Sequence, residues 1–203
     1  MNIRHYAIYG GSFDPIHVGH MELASHAVRE CGIDKIIFMP AYVSPFKQDR
    51  HVSPGADRVR MIESILKYDP AFCVSRYELN REGPSYTVET LRHWKSLLDG
   101  KLSFVLGYDS VVQIETWFCG EEIIRNYPLI TARRPDTDDR NGAEAIRRLR
   151  EKYGADITVL NMPPVNASSS EIRRRRASGL SLEGLVMPEV EKYIIEHDLY
   201  QDS

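Results

Sequence analysis

The stretch Gly10–His20, GGSFDPIHVGH, follows directly on the apolar run Tyr6-Ala7-Ile8-Tyr9. Two adjacent glycines let a backbone turn sharply and approach a ligand closely. His17 and His20 stand three residues apart, so on a helix both occupy one face. Three meanings compete for this stretch: a tight turn with incidental histidines, a metal site, or a pocket for phosphates.

The flanking pattern decides among them. His5–Tyr9 reads as a buried strand, and Val18, Met21, Ala24, Val28 and Cys31 then recur at helical spacing up to a stop at Gly32. Lys35–Met39 (KIIFM), Phe72–Ser75, Leu102–Leu106, Leu129–Ala132 and Ile157–Leu160 read as further strands. Between them lie helical patterns. One starts at Ser53-Pro54 and carries Val59, Ile62 and Leu66. A second, capped by Ser85 and ended by Gly100, carries Val88, Leu91, Trp94 and Leu98. A third covers Ala143–Tyr153, and Pro188–Tyr200 closes the chain with Val190, Tyr193, Ile194 and Leu199 inward. Arg133–Gly142 reads as a polar surface loop, and Ala41–Arg50 as a candidate mobile segment. Strands alternating with helices predict an α/β fold: a doubly wound, mostly parallel sheet with helices on both faces. Ligands bind such sheets at the carboxyl ends of the strands, where strand order reverses. The glycine–histidine stretch follows the first strand and lies at such an end. That position removes the incidental reading. The metal reading fails on spacing, because H-x-x-H has no third ligand nearby and helical zinc pairs are expected at i,i+4. No metal ligands are therefore assigned. A phosphate pocket remains, with free N–H groups and a positive dipole end supplied by the helix start.

A second cluster lies far downstream at Asn166–Arg176, NASSSEIRRRR. Serines at a helix start supply hydroxyl and amide donors, and Arg173 adds a charge that can grip two phosphate oxygens. Ser168 with Glu171 also fits a capping box, and both readings can hold together. The remaining arginines read as a solvated face.

Composition excludes several classes. The chain has 203 residues, 26 Lys plus Arg against 29 Asp plus Glu, and a formal charge of -3. A general nucleic-acid binder needs a basic surplus. Cys31, Cys73 and Cys119 are odd in number and widely spaced, which speaks against a disulfide framework. The first residues carry no signal-peptide pattern and no stretch reaches the roughly 20 apolar residues of a membrane span. A cytoplasmic protein with no membrane or nucleic-acid partner is expected.

GGSFDPIHVGH and SSSEIRRR together resemble the nucleotidyltransferases whose Rossmann-like core is shared with class I synthetases. Their markers are H-x-G-H and a later I-S-S-T-x-I-R. Within them the sequence is similar to the bacterial nicotinate-nucleotide adenylyltransferases. Further matches are Met39-Pro40, Ser44–Lys47, Gly83–Thr87, Gly107–Ser110, Thr116–Phe118 and Arg133–Pro135. The resemblance spans nearly the whole chain and implies one nucleotidyltransferase domain over 1–203. It implies transfer of the adenylyl group of ATP to nicotinate mononucleotide, giving deamido-NAD and pyrophosphate, with Mg²⁺ held mainly by the substrate phosphates.

The resemblance also implies roles. Gly10, Gly11, Ser12 and Phe13 hold the nucleotide. His17, His20, Lys47 and Arg173 are the catalytic candidates, with His20 on the reacting α-phosphate. Ser168, Ser169 and Ser170 take the β/γ side, and Gly107 and Asp109 lie at the nucleotide, Asp109 near the ribose. Trp117 stacks on the pyridine, while backbone N–H groups near Thr87 and Phe118 receive its carboxylate. From periodicity alone Trp117 suits a core aromatic equally well, and Thr87 an early helix residue. Ser12 and Ser170 stand where threonine is common, Ala167 where isoleucine is, and Phe46 where histidine often precedes the lysine. The alternatives are another acceptor (nicotinamide mononucleotide or phosphopantetheine) or a non-catalytic nucleotide-binding regulator. A homo-oligomer stays open.

Overall fold

A run such as KIIFM has no polar alternation because both of its faces are covered. The computed structural model describes residues 3–42, 52–81, 83–133, 139–163 and 165–201. Its strands are β1 (His5–Gly11), β2 (Lys35–Pro40), β3 (Phe72–Val74), β4 (Lys101–Val105), β5 (Leu129–Ala132) and β6 (Ile157–Leu160). They form one sheet in the order β3-β2-β1-β4-β5-β6, and each neighbouring pair is parallel. The expected α/β, Rossmann-like doubly wound fold is the observed one.

The helices are α1 (Val18–Cys31), α2 (Gly55–Ile65), α3 (Thr87–Leu97), α4 (Tyr108–Gln113), α5 (Gly120–Asn126), α6 (Asp139–Tyr153), α7 (Ser169–Ala177) and α8 (Pro188–Glu196). Alternate strand residues feed two cores. Ala7, Tyr9, Ile36 and Phe38 pack on one face with side chains of α1, α2, α7 and α8. Ile8, Ile37, Met39 and Phe104 pack on the other with side chains of α3, α4, α5 and α6. Among the described residues no helix is long and apolar enough to cross a membrane.

Several boundaries differ from the sequence reading. Gly32 ends α1 as expected, in the left-handed conformation at φ 61°. The helix expected to start at Ser53-Pro54 begins at Gly55 with Pro54 in the cap position, and Ser85 does not cap α3, where Tyr86 holds that position; neither makes a side-chain cap bond. Gly100 does not end α3 either, since Leu98 is its cap. Gly100 is needed because a Cβ there would lie 2.6 Å from the Arg4 carbonyl oxygen. Residues 139–142 of the stretch expected as a loop lie in α6, which begins at Asp139. The last helix stops at Glu196, four residues early. Helices α4 and α5 are too short to show a period, and nothing in the pattern predicts them.

Strand order reverses between β1 and β4, so the crevice for a ligand opens where these two strands end. The loop leaving β1 is held there from several directions. Phe13 adopts the left-handed conformation at φ 48°, which costs a non-glycine residue about 1–2 kcal/mol. Burial of its ring against Tyr9 and Phe38, with centroids at 5.3 and 5.6 Å, opposes that cost. Asp14 follows, buried, and its carboxylate accepts from the Tyr200 hydroxyl at 2.7 Å and the Ser53 N–H at 3.3 Å. Buried Arg58 donates to the Ser12 carbonyl at 2.8 Å and to the Ser53 carbonyl at 3.0 Å. Burial lowers the Arg58 pKa, and the neighbouring Asp14 charge opposes that shift. Burial raises the Tyr200 pKa and Asp14 pushes it further up, so Tyr200 stays a neutral donor.

Tyr200→Phe removes one donor from a buried carboxylate. It should lower unfolding free energy by about 1–3 kcal/mol, the cost of leaving a buried polar group short of a partner. Urea denaturation measures this, and a midpoint identical to that of the native chain would show that the contact contributes nothing.

Candidate active site

The phosphate end is built where α1 and α7 begin. His17 is the N-cap of α1 and is buried, and its ring stacks on His20 with centroids 3.7 Å apart. His20 also meets the edges of Phe13 and Tyr9 at 5.1 and 5.9 Å. Its Nδ1 accepts the His17 N–H at 3.2 Å. In the neutral ring that leaves the proton on Nε2, which becomes the donor. A Cβ on Gly19 would sit 3.1 Å from the His17 ring, so only glycine leaves that ring its place. The free amides expected at the start of α1 are fewer than the sequence suggests. Val18 N–H is taken by the Leu185 carbonyl at 3.0 Å, and His20 N–H by the His17 carbonyl at 2.9 Å.

Helix α7 docks its first turn on the loop that leaves β1. Ser168 caps it, accepting the Glu171 N–H at 3.2 Å, as the capping box predicts. Ser169 Oγ donates to the Pro15 carbonyl at 3.0 Å. Arg173 donates to the Asp14 carbonyl at 2.6 Å and to Ser170 Oγ at 3.4 Å. Two of the three serine hydroxyls thus hold the helix in place. The exposed Ser170 hydroxyl, the Ser169 and Ser170 amides and the other N–H groups of Arg173 remain available to an anion. The solvated face expected of the remaining arginines holds only for Arg174, which pairs with Glu171 at 2.7 Å. Arg175 is partly covered and donates to the Ser181 carbonyl at 2.8 Å, and Arg176 packs with its side chain 21% exposed, 3.7 Å from Asp198.

The other end is a cavity of about 420 Å³, within the roughly 300–1,000 Å³ usual for small-molecule sites. One wall is Gly10, Gly11 and Ser12, at the end of β1. Side chains here would crowd, since a Cβ on Gly10 would lie 3.3 Å from Phe104 and one on Gly11 3.1 Å from Phe13. The opposite wall carries Trp117 and Phe118, with the Trp117 ring edge-on to Phe104 at 6.2 Å. The third wall is the turn into α3, Ser85, Tyr86 and Thr87. Tyr86 and Phe118 meet across the mouth at 4.7 Å. Thr87 is the first residue of α3, so its N–H has no partner within the helix. Among the described residues the Phe118 N–H meets no backbone acceptor.

The cavity therefore brings together Gly10, Gly11, Ser12, Thr87, Trp117 and Phe118. Gly107 and Asp109 are not in its lining and lie at the start of α4 beyond β4, where Ser110 reaches the cavity. A Cβ on Gly107 would meet only Ser110 Oγ, at 4.0 Å. Neither packing nor a positive φ demands glycine there. The Phe13 side chain belongs to the core, so only its backbone can serve a nucleotide. Lys47, Phe46 and most of the stretch 41–50 lie outside the described residues. No group of three His, Cys, Asp or Glu able to hold a metal occurs among the described residues. Sequence reading missed Glu78, which lies buried in the cavity lining, and also Arg58 and Tyr200 behind the loop.

Residues 8–175 match a family model described as cytidylyltransferase-like. A protein of Caldicellulosiruptor bescii named "Probable nicotinate-nucleotide adenylyltransferase" is 34% identical over 198 residues, covering 96% of this chain and 98% of its own. One of the same name from Dehalococcoides mccartyi is 38% identical over 200 residues, covering 95% of each. The structure of "Plasmodium falciparum nicotinic acid mononucleotide adenylyltransferase complexed with NaAD" superposes with a TM-score of 0.80 over 98% of each chain, at 21% identity. At that identity the superposition speaks for the fold.

The geometry at His20 makes a prediction that needs no ligand. Long-range ¹H–¹⁵N NMR should find neutral His20 as the Nε2–H tautomer. A predominant Nδ1–H form would contradict the bond from the His17 N–H.

Proposed function

The chain belongs to the nicotinate-nucleotide adenylyltransferases of the cytidylyltransferase-like family, and we propose that it transfers the adenylyl group of ATP to nicotinate mononucleotide. The observation that carries this reading is the single cavity joining the β1 glycines to Thr87, Trp117 and Phe118. An ATP phosphate chain laid along the glycine loop toward α7 places its α-phosphate beside the mouth of a pyridine-sized pocket.

A mononucleotide phosphate oxygen attacks the α-phosphorus. A new P–O bond forms, the bond to the bridging oxygen of the β-phosphate breaks, and pyrophosphate leaves with that electron pair. No covalent enzyme intermediate is needed, and catalysis is positioning plus charge stabilisation. In this reading the Nε2–H of His20 donates to the α-phosphate as charge builds. Arg173, the Ser170 hydroxyl and the first turn of α7 hold the leaving phosphates. Ser168 and Ser169 act by keeping that turn in place, and Asp109 faces the ribose. His17 holds His20 by stacking, and Lys47 adds charge from the segment after β2. Mg²⁺ enters with the triphosphate as part of the substrate, held by phosphate oxygens and water. The donor set fits this, being rich in N–H groups that suit phosphate oxygens and, among the described residues, without a carboxylate cage.

At the pyridine end Trp117 stacks on the ring, and the N–H groups of Thr87 and Phe118 face its carboxylate. Donors on the protein favour a carboxylate over an amide, whose NH₂ would oppose them. That argues against nicotinamide mononucleotide, and the aromatic pocket argues against phosphopantetheine. A regulator without catalysis would have no use for a donor poised at the reacting phosphate. Residence in the cytoplasm belongs to the same reading.

A pyrophosphate-release assay with ATP, Mg²⁺ and either mononucleotide tests this directly. Turnover is expected with nicotinate mononucleotide and should be slower with the nicotinamide form. The reverse order would overturn the acceptor, and no turnover would overturn the enzyme reading. His20→Ala should lower kcat by at least ~100-fold, the scale of one lost transition-state donor. Trp117→Ala should raise KM for the mononucleotide well above any change for ATP, and an equal change in both would make Trp117 a packing residue.

A further inference from the structure

Glu78 is an acidic residue in the lining of a cavity that, on the reading above, receives a carboxylate and a phosphate. It is 7% exposed. Thr90 Oγ1, from the first turns of α3, donates to its Oε1 at 2.6 Å. The Ser85 side chain lies beside it in the cavity lining and holds its carboxyl down. The Ser85 hydroxyl oxygen accepts the Tyr42 N–H at 3.0 Å, which leaves its proton free to turn toward Glu78. Ala41 N–H in turn donates to the Gly11 carbonyl at 2.9 Å. Hydrogen bonds thus tie the exit of β2 to the nucleotide glycines and to Ser85, and Glu78 to α3.

Thr90 bonds the Glu78 carboxyl, and the Ser85 hydroxyl beside it holds the same group down. A carboxyl group can accept from both, whereas glutamine offers one oxygen and an alanine none. Glu78 thus touches the turn on both sides of Thr87, since Ser85 precedes it by two residues and Thr90 follows by three. Glu78 is not placed to take part in the chemistry at the phosphorus. Burial pushes its carboxyl up, against the hydrogen bonds from Thr90 and Ser85 and the charge of Arg81. A raised value lessens repulsion of an anionic ligand in the same cavity.

We propose that Glu78 is the positioning residue of the mononucleotide subsite, holding Ser85 and Thr90 so that the Thr87 N–H faces the acceptor's carboxylate. The proposal rests on the adenylyl-transfer reading and concerns the acceptor half of the site. A packing role alone would lower stability and affect both substrates alike. A positioning role affects the acceptor and is restored by a side chain of the same shape that keeps an acceptor oxygen.

The test compares KM for ATP and for nicotinate mononucleotide in the native chain, Glu78→Ala, Glu78→Gln and Ser85→Ala, with Tm recorded for each. Glu78→Ala should raise KM for the mononucleotide by ~10-fold or more while KM for ATP stays within ~2-fold, the scale of one lost buried hydrogen-bond network. Glu78→Gln should recover much of that loss, and Ser85→Ala should shift the same constant in the same direction. If Glu78→Ala does not fold, Ser85→Ala and Glu78→Gln carry the test. An unchanged mononucleotide KM in the folded variants, or equal shifts for both substrates, overturns the proposal while the activity stands. An inactive native chain overturns the activity reading and this proposal with it.

Discussion

The buried Asp14 carboxylate is the point on which the candidate site depends. It sits in the loop between the nucleotide glycines and His17, and the Tyr200 hydroxyl and the Ser53 N–H both end on it. The carbonyls around it are held too, Ser12 by Arg58, Asp14 itself by Arg173 and Pro15 by Ser169. Donors from the segment before α2, from α2 itself, from α7 and from the end of the chain therefore meet on one loop. A loop with so many buried polar atoms needs such a set, because each unpaired group would cost free energy. What results is a backbone with little freedom beside the place where charge must be met by fixed donors.

The rest of the site divides into two halves along the crevice between β1 and β4. The first is cationic and rich in N–H groups: His20 with its proton directed to Nε2, Arg173, and the start of α7. The second is an aromatic cavity with backbone donors at its rim. The strand-order reversal places the halves side by side, and the glycines of β1 border both. Bond formation between two phosphates, one from each substrate, suits that adjacency, and the arrangement needs no nucleophile from the protein.

Much of this can be read from the sequence, and the gaps have physical causes. The strands stand out because burial on both faces leaves runs like KIIFM without polar residues. Helix α1 stands out because Val18, Met21, Ala24 and Val28 keep a helical period and Gly32 stops it. The phosphate end is readable for a similar reason: glycines, histidines, serines and Arg173 lie in two short local motifs. Helices α4 and α5 have 6 and 7 residues, too few for a period. Arg58 looks like a solvent-facing residue of an amphipathic helix and turns inward because the Ser12 carbonyl awaits it. Tyr200 pairs with a residue 186 positions away, a relation no local pattern carries. Glu78 looks like an ordinary turn acid until the fold sets Ser85 and Thr90 beside it. Ser85 looked like a helix cap, a role its residue type favours, yet its oxygen serves the Tyr42 N–H instead.

On this geometry the adenylyl group passes directly between substrates held in adjoining halves of one crevice. Isotope from ATP labelled at the α-phosphate, in the presence of Mg²⁺ and nicotinate mononucleotide, follows that passage. All transferred label should appear in the dinucleotide, with none covalently attached to the protein at any time in a single turnover. Label trapped on the protein, or released as AMP without dinucleotide, would contradict it.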